Sequence, residues 1–343
     1  MNSGPLRVLE VYGDAVDFGR IHGTECKTLI RGYLDERLGL SGDGTWAGRS
    51  APSDTVLALA ETTLAHHHAY SPDLFEEMLA LAQAAGITPA EAIVVGGFTD
   101  LVDLVRAHDG WAPIEDDCTA LLDPGNGVLA QTWDMHASAG EYVVMLKLDP
   151  LSGPTAVVQT TAGCLGQIGM NEAGIGVGIN NLTSIGKPGV TWPFVVRKVL
   201  EQTSLDTAVD AVLTADLAGG HNYLIMGPDG VGANIEAMPG TIEVTRVTSM
   251  PFVHTNHCLG QGTVLEEGAR TPEHVAGSQT RLDRGLDLVG DLEAFFADPS
   301  IARRAEAPHD VATCGAVVIR PMELRLDSVW GVPGDGPWES FRL

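Results

Sequence analysis

The chain has 343 residues, 44% of them hydrophobic and only 19% charged, which is enough apolar material for one large domain or two small ones and excludes a disordered chain. Asp and Glu number 45 against 20 Lys and Arg, a formal charge of -25. The mean field therefore repels phosphate backbones and anionic membrane surfaces, so neither nucleic acid nor membrane is an expected partner.

Residues 15 to 110 show a helical texture. In "SPDLFEEMLALAQAAG", Ser71 can cap a helix, Pro72 suits its first position, apolar Leu74, Phe75, Met78, Leu79 and Ala82 recur at helical spacing, and Gly86 can end it. "TPAEAIVVGGFTDLVDLV" repeats the device with Thr88 as cap, Pro89 at the first turn and Glu91 three residues after the cap. Near residue 112 the helical period gives way to short runs divided by turn signals, "CTALL", "GVLAQTW", "EYVVMLKL", "TAVVQTT" and "GIGVGIN", with "DPGNG" as a hairpin turn between the first two. A helical segment over 192 to 214 follows, then further strands, a helix near 276 to 289, and closing strands at "GAVVIRP" and "ELRLDSVW". Strands grouped together with helices outside them predict an α+β fold, antiparallel sheets covered by helices rather than a doubly wound parallel sheet.

Cys26, Cys118, Cys164, Cys258 and Cys314 are an odd, widely spaced set with no C-x-x-C, which argues against a disulfide framework or a cysteine-rich zinc module and fits a reduced compartment. The start "MNSGPLRVLEVYGD" lacks a basic stretch followed by an apolar core, and no run approaches a membrane span, so a soluble, cytoplasmic protein is expected. "HHH" at 66 to 68 and "HTNHC" at 254 to 258 lack the spacing of a metal motif, because three consecutive helix residues point in different directions. No catalytic metal and no external cofactor is expected. "GIGVGINN" is without the G-x-G-x-x-G of a dinucleotide loop, and no G-x-S-x-G elbow of a serine hydrolase occurs.

Cys118 begins the first strand of the β-rich part, directly after Glu115, Asp116 and Asp117, residues of a solvated loop rather than a core. Cutting the bond between Asp117 and Cys118 would make Cys118 an N-terminal residue with both a thiol and a free α-amine. The amine has an ordinary pKa of about 7.7 to 8.0, so near neutral pH it can accept the thiol proton, and one residue supplies nucleophile and base. Asp134 lies 16 residues later (134 - 118), where the returning hairpin strand brings its carboxylate back beside the strand start to position that amine. Asn256 and Asn180 stand at ends of predicted strands; each reads either as a strand-end residue or as an amide donor to a developing oxyanion. Arg281 in "SQTRLDRGLDLV" reads either as a helix-face charge beside Asp283 or as part of the site, with Ser278 three residues earlier on the same face.

In order along the chain, "DCTALL", "AQTWD", "GQIGMNEAGIGVGINN", "HTNH" and "SQTRLDR" resemble the acyl-coenzyme A:6-aminopenicillanate (isopenicillin N) acyltransferase-like family of N-terminal nucleophile hydrolases. "YGDAVDFGRIHGTE" and "LAQAAGITPAEA" resemble the helical segment its precursors carry before the nucleophile, so the similarity spans nearly the whole chain. The resemblance implies an αββα sandwich of two antiparallel sheets flanked by helices, and self-cleavage into a mostly helical 1-117 and a catalytic 118-343 that stay together as one structural unit. On matching positions Cys118 is the nucleophile, Asp134 the amine-positioning acid, Asn256 an oxyanion donor and Arg281 a charge near Asp134. Asn180 matches a second oxyanion asparagine of the related choloylglycine hydrolase branch, and Thr119 and Ser278 are supporting residues. One departure is Asp117, where the family usually has Gly; a charged residue at a strained bond can slow the acyl shift or assist it. The implied activity is hydrolysis or transfer at a linear amide or thioester of a small acylated amine, with acyl-CoA as a possible donor and a homo-oligomer as a possible assembly. The alternative from another class is an unprocessed, non-catalytic binding or scaffold protein on the same fold.

Overall fold

A computed structural model describes residues 5–45, 48–109 and 118–343; the expected cleavage residue Asp117 lies outside them. An N-terminal strand β1 (Val8–Gly13) leads into six helices, α1 (Ala15–Glu25), α2 (Lys27–Asp43), α3 (Ser53–Tyr70), α4 (Pro72–Ala85), α5 (Pro89–Gly96) and α6 (Phe98–Asp109). Residue 118 opens a run of strands: β2 (Thr119–Asp123), β3 (Val128–His136), β4 (Val143–Pro150), β5 (Ala156–Thr161), β6 (Ile168–Asn171) and β7 (Gly176–Leu182). Then come α7 (Trp192–Leu200), α8 (Leu205–Leu213), β8 (Gly220–Met226), β9 (Gly232–Ala237), β10 (Ile242–Val247), β11 (Phe252–His254), α9 (Pro272–Asp287), α10 (Leu292–Ala297), β12 (Val311–Arg320), β13 (Arg325–Trp330) and β14 (Glu339–Arg342).

Local chemistry accounts for the helix ends. Proline occupies the first turn of α4, α5, α7 and α9, where its missing N–H costs no helical hydrogen bond. Thr88 and Glu91 form a reciprocal capping box, with Glu91 accepting from the Thr88 N–H at 2.6 Å. Gly86 ends α4 in the left-handed region at φ 76°. Ser71 stands at the N-cap of α4 as expected, but its hydroxyl makes no capping bond. The single helical segment expected over 192 to 214 is two helices, because the chain leaves the helix after Leu200 and Ser204 caps a second one, its hydroxyl accepting from the Thr207 N–H.

Two sheets face each other. One has eight strands in the order β1-β4-β5-β6-β7-β8-β9-β10, the other six in the order β11-β2-β3-β12-β13-β14. All named pairs are antiparallel except β1 with β4, a parallel edge pair that the sequence did not signal. Polar side chains stitch the two inner faces: Gln131 accepts from the Ile179 N–H at 2.9 Å and donates to the Ile179 carbonyl, and Gln159 donates to Ser328 Oγ at 2.9 Å. Gly178 leaves room for this crossing: a Cβ there would lie 2.5 Å from Gln131 Oε1 and would displace the amide from its bonds to Ile179.

Helices cover both outer faces: α7 and α8 the eight-stranded sheet, α9 and α10 the six-stranded one, where Leu121, Val253, Leu282, Phe295 and Val318 form their own apolar cluster. This is the αββα order expected, and the fold is α+β. Helices α1 to α6 pack on one another and dock through buried polar bridges. His22 accepts from the Gly163 N–H at 3.0 Å, and Glu77 takes a two-pronged pair from Arg197 at 2.7 and 2.9 Å. Among the described residues, no single helix is long and apolar enough to cross a membrane.

Candidate active site

The hairpin of β2 and β3 sets the geometry. Asn126 donates to Asp123 at 2.7 Å and Gly127 takes φ 61° to close the turn, which fixes the register so that Thr119 faces Thr132. Continued by one residue, that register sets Trp133 across from Cys118, with Asp134 the next residue along β3. The Cys118 thiol lies 3.8 Å from the Asp134 carbonyl oxygen, with Cys118 3% exposed and Asp134 fully buried. The Asp134 carboxylate accepts from Thr313 Oγ1 at 2.6 Å and lies 3.4 Å from Thr132 Oγ1. A bulge between Thr313 and Gly315 of β12 leaves Thr313 opposite Asp134.

Helix α9 closes the other side. Its buried Arg281 donates through Nη1 to the Cys118 carbonyl at 2.6 Å and to Thr119 Oγ1 at 3.1 Å, and through Nη2 to Asn256 Oδ1 at 3.1 Å. That contact fixes which end of the Asn256 amide is oxygen, so Nδ2 is the end that donates to the Asn181 carbonyl at 3.1 Å. Ser278, one helical turn before Arg281, accepts from the Asn256 N–H at 3.0 Å and sits 2.9 Å from Thr255 Oγ1 and 2.7 Å from His257 Nδ1. Burial, with the neighbouring His254, lowers the His257 pKa to about 4, so this imidazole is neutral near pH 7.

Cys118, Thr119, Asp134, Asn256, Ser278 and Arg281 thus come together. Asn180, on β7, is fully buried opposite Asn222, and neither amide has a hydrogen-bond partner among the described residues. The period of two along β7 puts Ile179 and Asn181, not Asn180, in the wall of the cavity that holds Cys118. Trp133, Phe98 and Trp192 supply its aromatic walls, and its volume is about 30 Å³, room for about two waters. Clefts of about 730 and 560 Å³ lie elsewhere and hold none of these residues, so chemistry rather than volume marks the site. Thr313, Phe98 and Trp192 were not singled out from sequence; Thr313 is 179 positions from the carboxylate it holds, and no local pattern joins them.

The histidines set aside as metal candidates have other work. His66 pairs with Asp216 at 3.0 Å, His67 with Thr63 and Thr191 at 2.8 Å, and His254 with Glu236 at 2.8 Å. All five cysteines are free and buried.

The model of the acyl-coenzyme A:6-aminopenicillanic acid acyl-transferase family matches residues 122–291, a span that contains Asp134, Asn180, Asn256, Ser278 and Arg281 and starts just after Cys118. A relative, the acyl-coenzyme A:6-aminopenicillanic-acid-acyltransferase 40 kDa form of Emericella nidulans, is 26% identical over 292 residues, covering 82% of this chain and 78% of its own. Among solved structures, a variant of the conjugated bile acid hydrolase from Clostridium perfringens is 10% identical with a TM-score of 0.48, covering 66% of this chain and 92% of its own. The penicillin V acylase from Agrobacterium tumefaciens is 12% identical with a TM-score of 0.38, covering 62% and 82%. On the family match and its curated relative, the chain is similar to the enzymes of the acyl-coenzyme A:6-aminopenicillanic acid acyl-transferase family.

Proposed function

We propose that the chain cuts itself between Asp117 and Cys118 and then works as an N-terminal cysteine amidohydrolase or acyltransferase on a small acylated amine. The observation that carries this reading is the Arg281 bridge, which ties the Cys118 carbonyl and the Asn256 amide into one buried constellation beside Asp134. In the first step the Cys118 thiol attacks the Asp117 carbonyl and the peptide nitrogen leaves as a free amine; water then hydrolyses the resulting thioester. The products are chains 1-117 and 118-343, held together by buried contacts such as that of Glu77 with Arg197.

In the working enzyme the new amine takes the thiol proton and the thiolate attacks the substrate carbonyl. Asn256 has a second N–H on Nδ2 beyond the one donated to Asn181, and that hydrogen can meet the oxyanion. Asn180 lies outside the wall of the cavity that holds Cys118 and takes no part in this step. The Cys118 ammonium returns its proton to the leaving amine, and water or an acceptor amine resolves the acyl-enzyme. Asp134 holds the ammonium, Thr313 and Thr132 hold Asp134, and Thr119 and Ser278 hold Arg281 and Asn256. Acyl-CoA fits the name of the matched family as an acyl donor. Five free buried cysteines support a reducing, cytoplasmic setting.

The tight cavity favours one competing reading, an unprocessed scaffold, because about 30 Å³ beside a thiol 3% exposed cannot admit an acylated amine. The enzyme reading requires that cavity to widen once the chain is cut. Mass spectrometry of purified protein decides between them: two chains starting at Met1 and Cys118, with Cys118 acylated by N-acyl amines or thioesters, support the enzyme. An intact chain with an inert Cys118 supports the scaffold, and a Cys118→Ala variant that still separates into two chains removes self-processing at this bond.

A further inference from the structure

We propose that Glu36, His136 and His309 form a binding site for one divalent cation of the zinc class, on the face of the six-stranded sheet's end where α2 approaches it. One ligand atom from each of the three lies within 4.8 Å of the other two. Glu36 comes from α2, His136 ends β3, and His309 precedes β12. His136 Nδ1 is 3.1 Å from Glu36 Oε1, with the imidazole fully buried and the carboxylate 18% exposed.

The loop carrying His309 is pinned rather than loose. The Ala137 and Ser138 N–H groups donate to the carbonyls of Asp310 and Pro308, both at 2.9 Å, and Asp310 Oδ2 accepts from the Ala307 N–H at 2.8 Å. Two imidazoles and a carboxylate are a donor set that zinc accepts, with His309 the exposed member of the three. Zinc at about 2.0–2.2 Å from each donor places tetrahedral donors about 3.4 Å apart, so the cluster closes by a small swing of His309. Tyr142 donates to Glu36 Oε2 at 2.9 Å and Ser138 Oγ, itself 2.8 Å from His136 Nδ1, donates to Oε1, so both oxygens have partners that orient the carboxylate beside His136 in the way outer-shell groups do. The net charge of -25 raises the local concentration of any cation.

Glu36 lies in 1-117 and both histidines in 118-343, so a bound ion would also clip the two pieces after cleavage; that consequence alone rests on the proposed self-processing. The test uses untagged full-length protein, freed of metal with a chelator, titrated with Zn²⁺ by calorimetry and with Co²⁺ by visible absorption. One ion per chain and the intense visible bands of four-coordinate Co²⁺ are expected. Loss of a direct ligand costs at least what loss of an outer-shell partner does, so His309→Ala and Glu36→Gln each weaken Zn²⁺ affinity by at least about tenfold. His309 is exposed, so its removal leaves the fold intact, checked by melting temperature without metal. A His66→Ala/His68→Ala double variant keeps wild-type affinity. No stoichiometric uptake, uptake indifferent to both site variants, or uptake lost in the double variant overturns the site. Chain mass measured on the same sample reports cleavage separately, so the two readings fail independently.

Discussion

Arg281 Nη1 donates to the carbonyl oxygen of Cys118 at 2.6 Å while Nη2 holds Asn256 Oδ1 at 3.1 Å, so one guanidinium from α9 spans the start of β2 and the segment after β11. The two contacts need a rigid fork, which lysine lacks. Charge-assisted hydrogen bonds are worth about 1.5–3 kcal/mol, so Arg281→Ala should slow acylation of Cys118 by about 10- to 100-fold, and Arg281→Lys should recover little of that. The rate of mass gain on the chain beginning at Cys118 reads both. An unaltered rate in Arg281→Ala would remove Arg281 from the site.

Asn256 is held at three points, by Arg281, Ser278 and the Asn181 carbonyl, which keeps one Nδ2 hydrogen in a fixed direction. Loss of a preorganised oxyanion donor costs about 10²–10³ in kcat, and Asn256→Ala should show that loss with KM little changed. Steady-state kinetics on a hydrolysed N-acyl amine measures the split; a change confined to KM would make Asn256 a substrate-binding residue instead.

Glu77 on α4 and Arg197 on α7 form a buried fork with side chains 3% and 6% exposed. Removing one partner leaves the other charge buried and unpaired, so Glu77→Ala should cost about 3–5 kcal/mol in urea unfolding, and Glu77→Leu/Arg197→Met should recover most of it. Because the pair joins 1-117 to 118-343, the single variant should also release the two chains from each other at lower urea than wild type. Equal losses in single and double variants would mean that packing, not charge, sets the cost.

His67 Nε2 accepts the Thr191 N–H at 3.0 Å, which obliges Nδ1–H to donate to the Thr63 carbonyl at 2.8 Å, so the ring is neutral in the fold. Burial, the largest influence, lowers its pKa to about 4 from the ordinary 6.5. A histidine with a depressed folded pKa stabilises fully above the unfolded value and loses that contribution as pH falls from 6.5 towards 4. The melting-temperature gap between wild type and His67→Gln should therefore narrow below pH 6.5 and stay level above it. A gap constant from pH 8 to 4.5 would show that His67 is not held neutral.

Periodicity and turn chemistry alone located most elements. Pro72, Pro89 and Gly86 bound helices where they stood in the sequence, and "DPGNG" set the hairpin whose register carries Asp134 back to Cys118. Strand β1 escaped notice, because a short run that pairs with β4, more than 130 positions on, leaves no periodic signature of its own.

The amino-acid order by itself determined the α+β class, the position of a cysteine at a loop-to-strand boundary, and the ordered motifs that carry the family resemblance. These are local properties: a cap, a turn and an alternation of side chains act over a few residues. Tertiary structure alone decided that Arg281 reaches Cys118 across 163 positions, that Thr313 supports Asp134, that Asn181 rather than Asn180 walls the cavity, and that Glu36 meets His136. Such contacts depend on how two twisted sheets and a helical layer are set against one another, and the free energy that sets them is spread over the whole core rather than written in any short stretch.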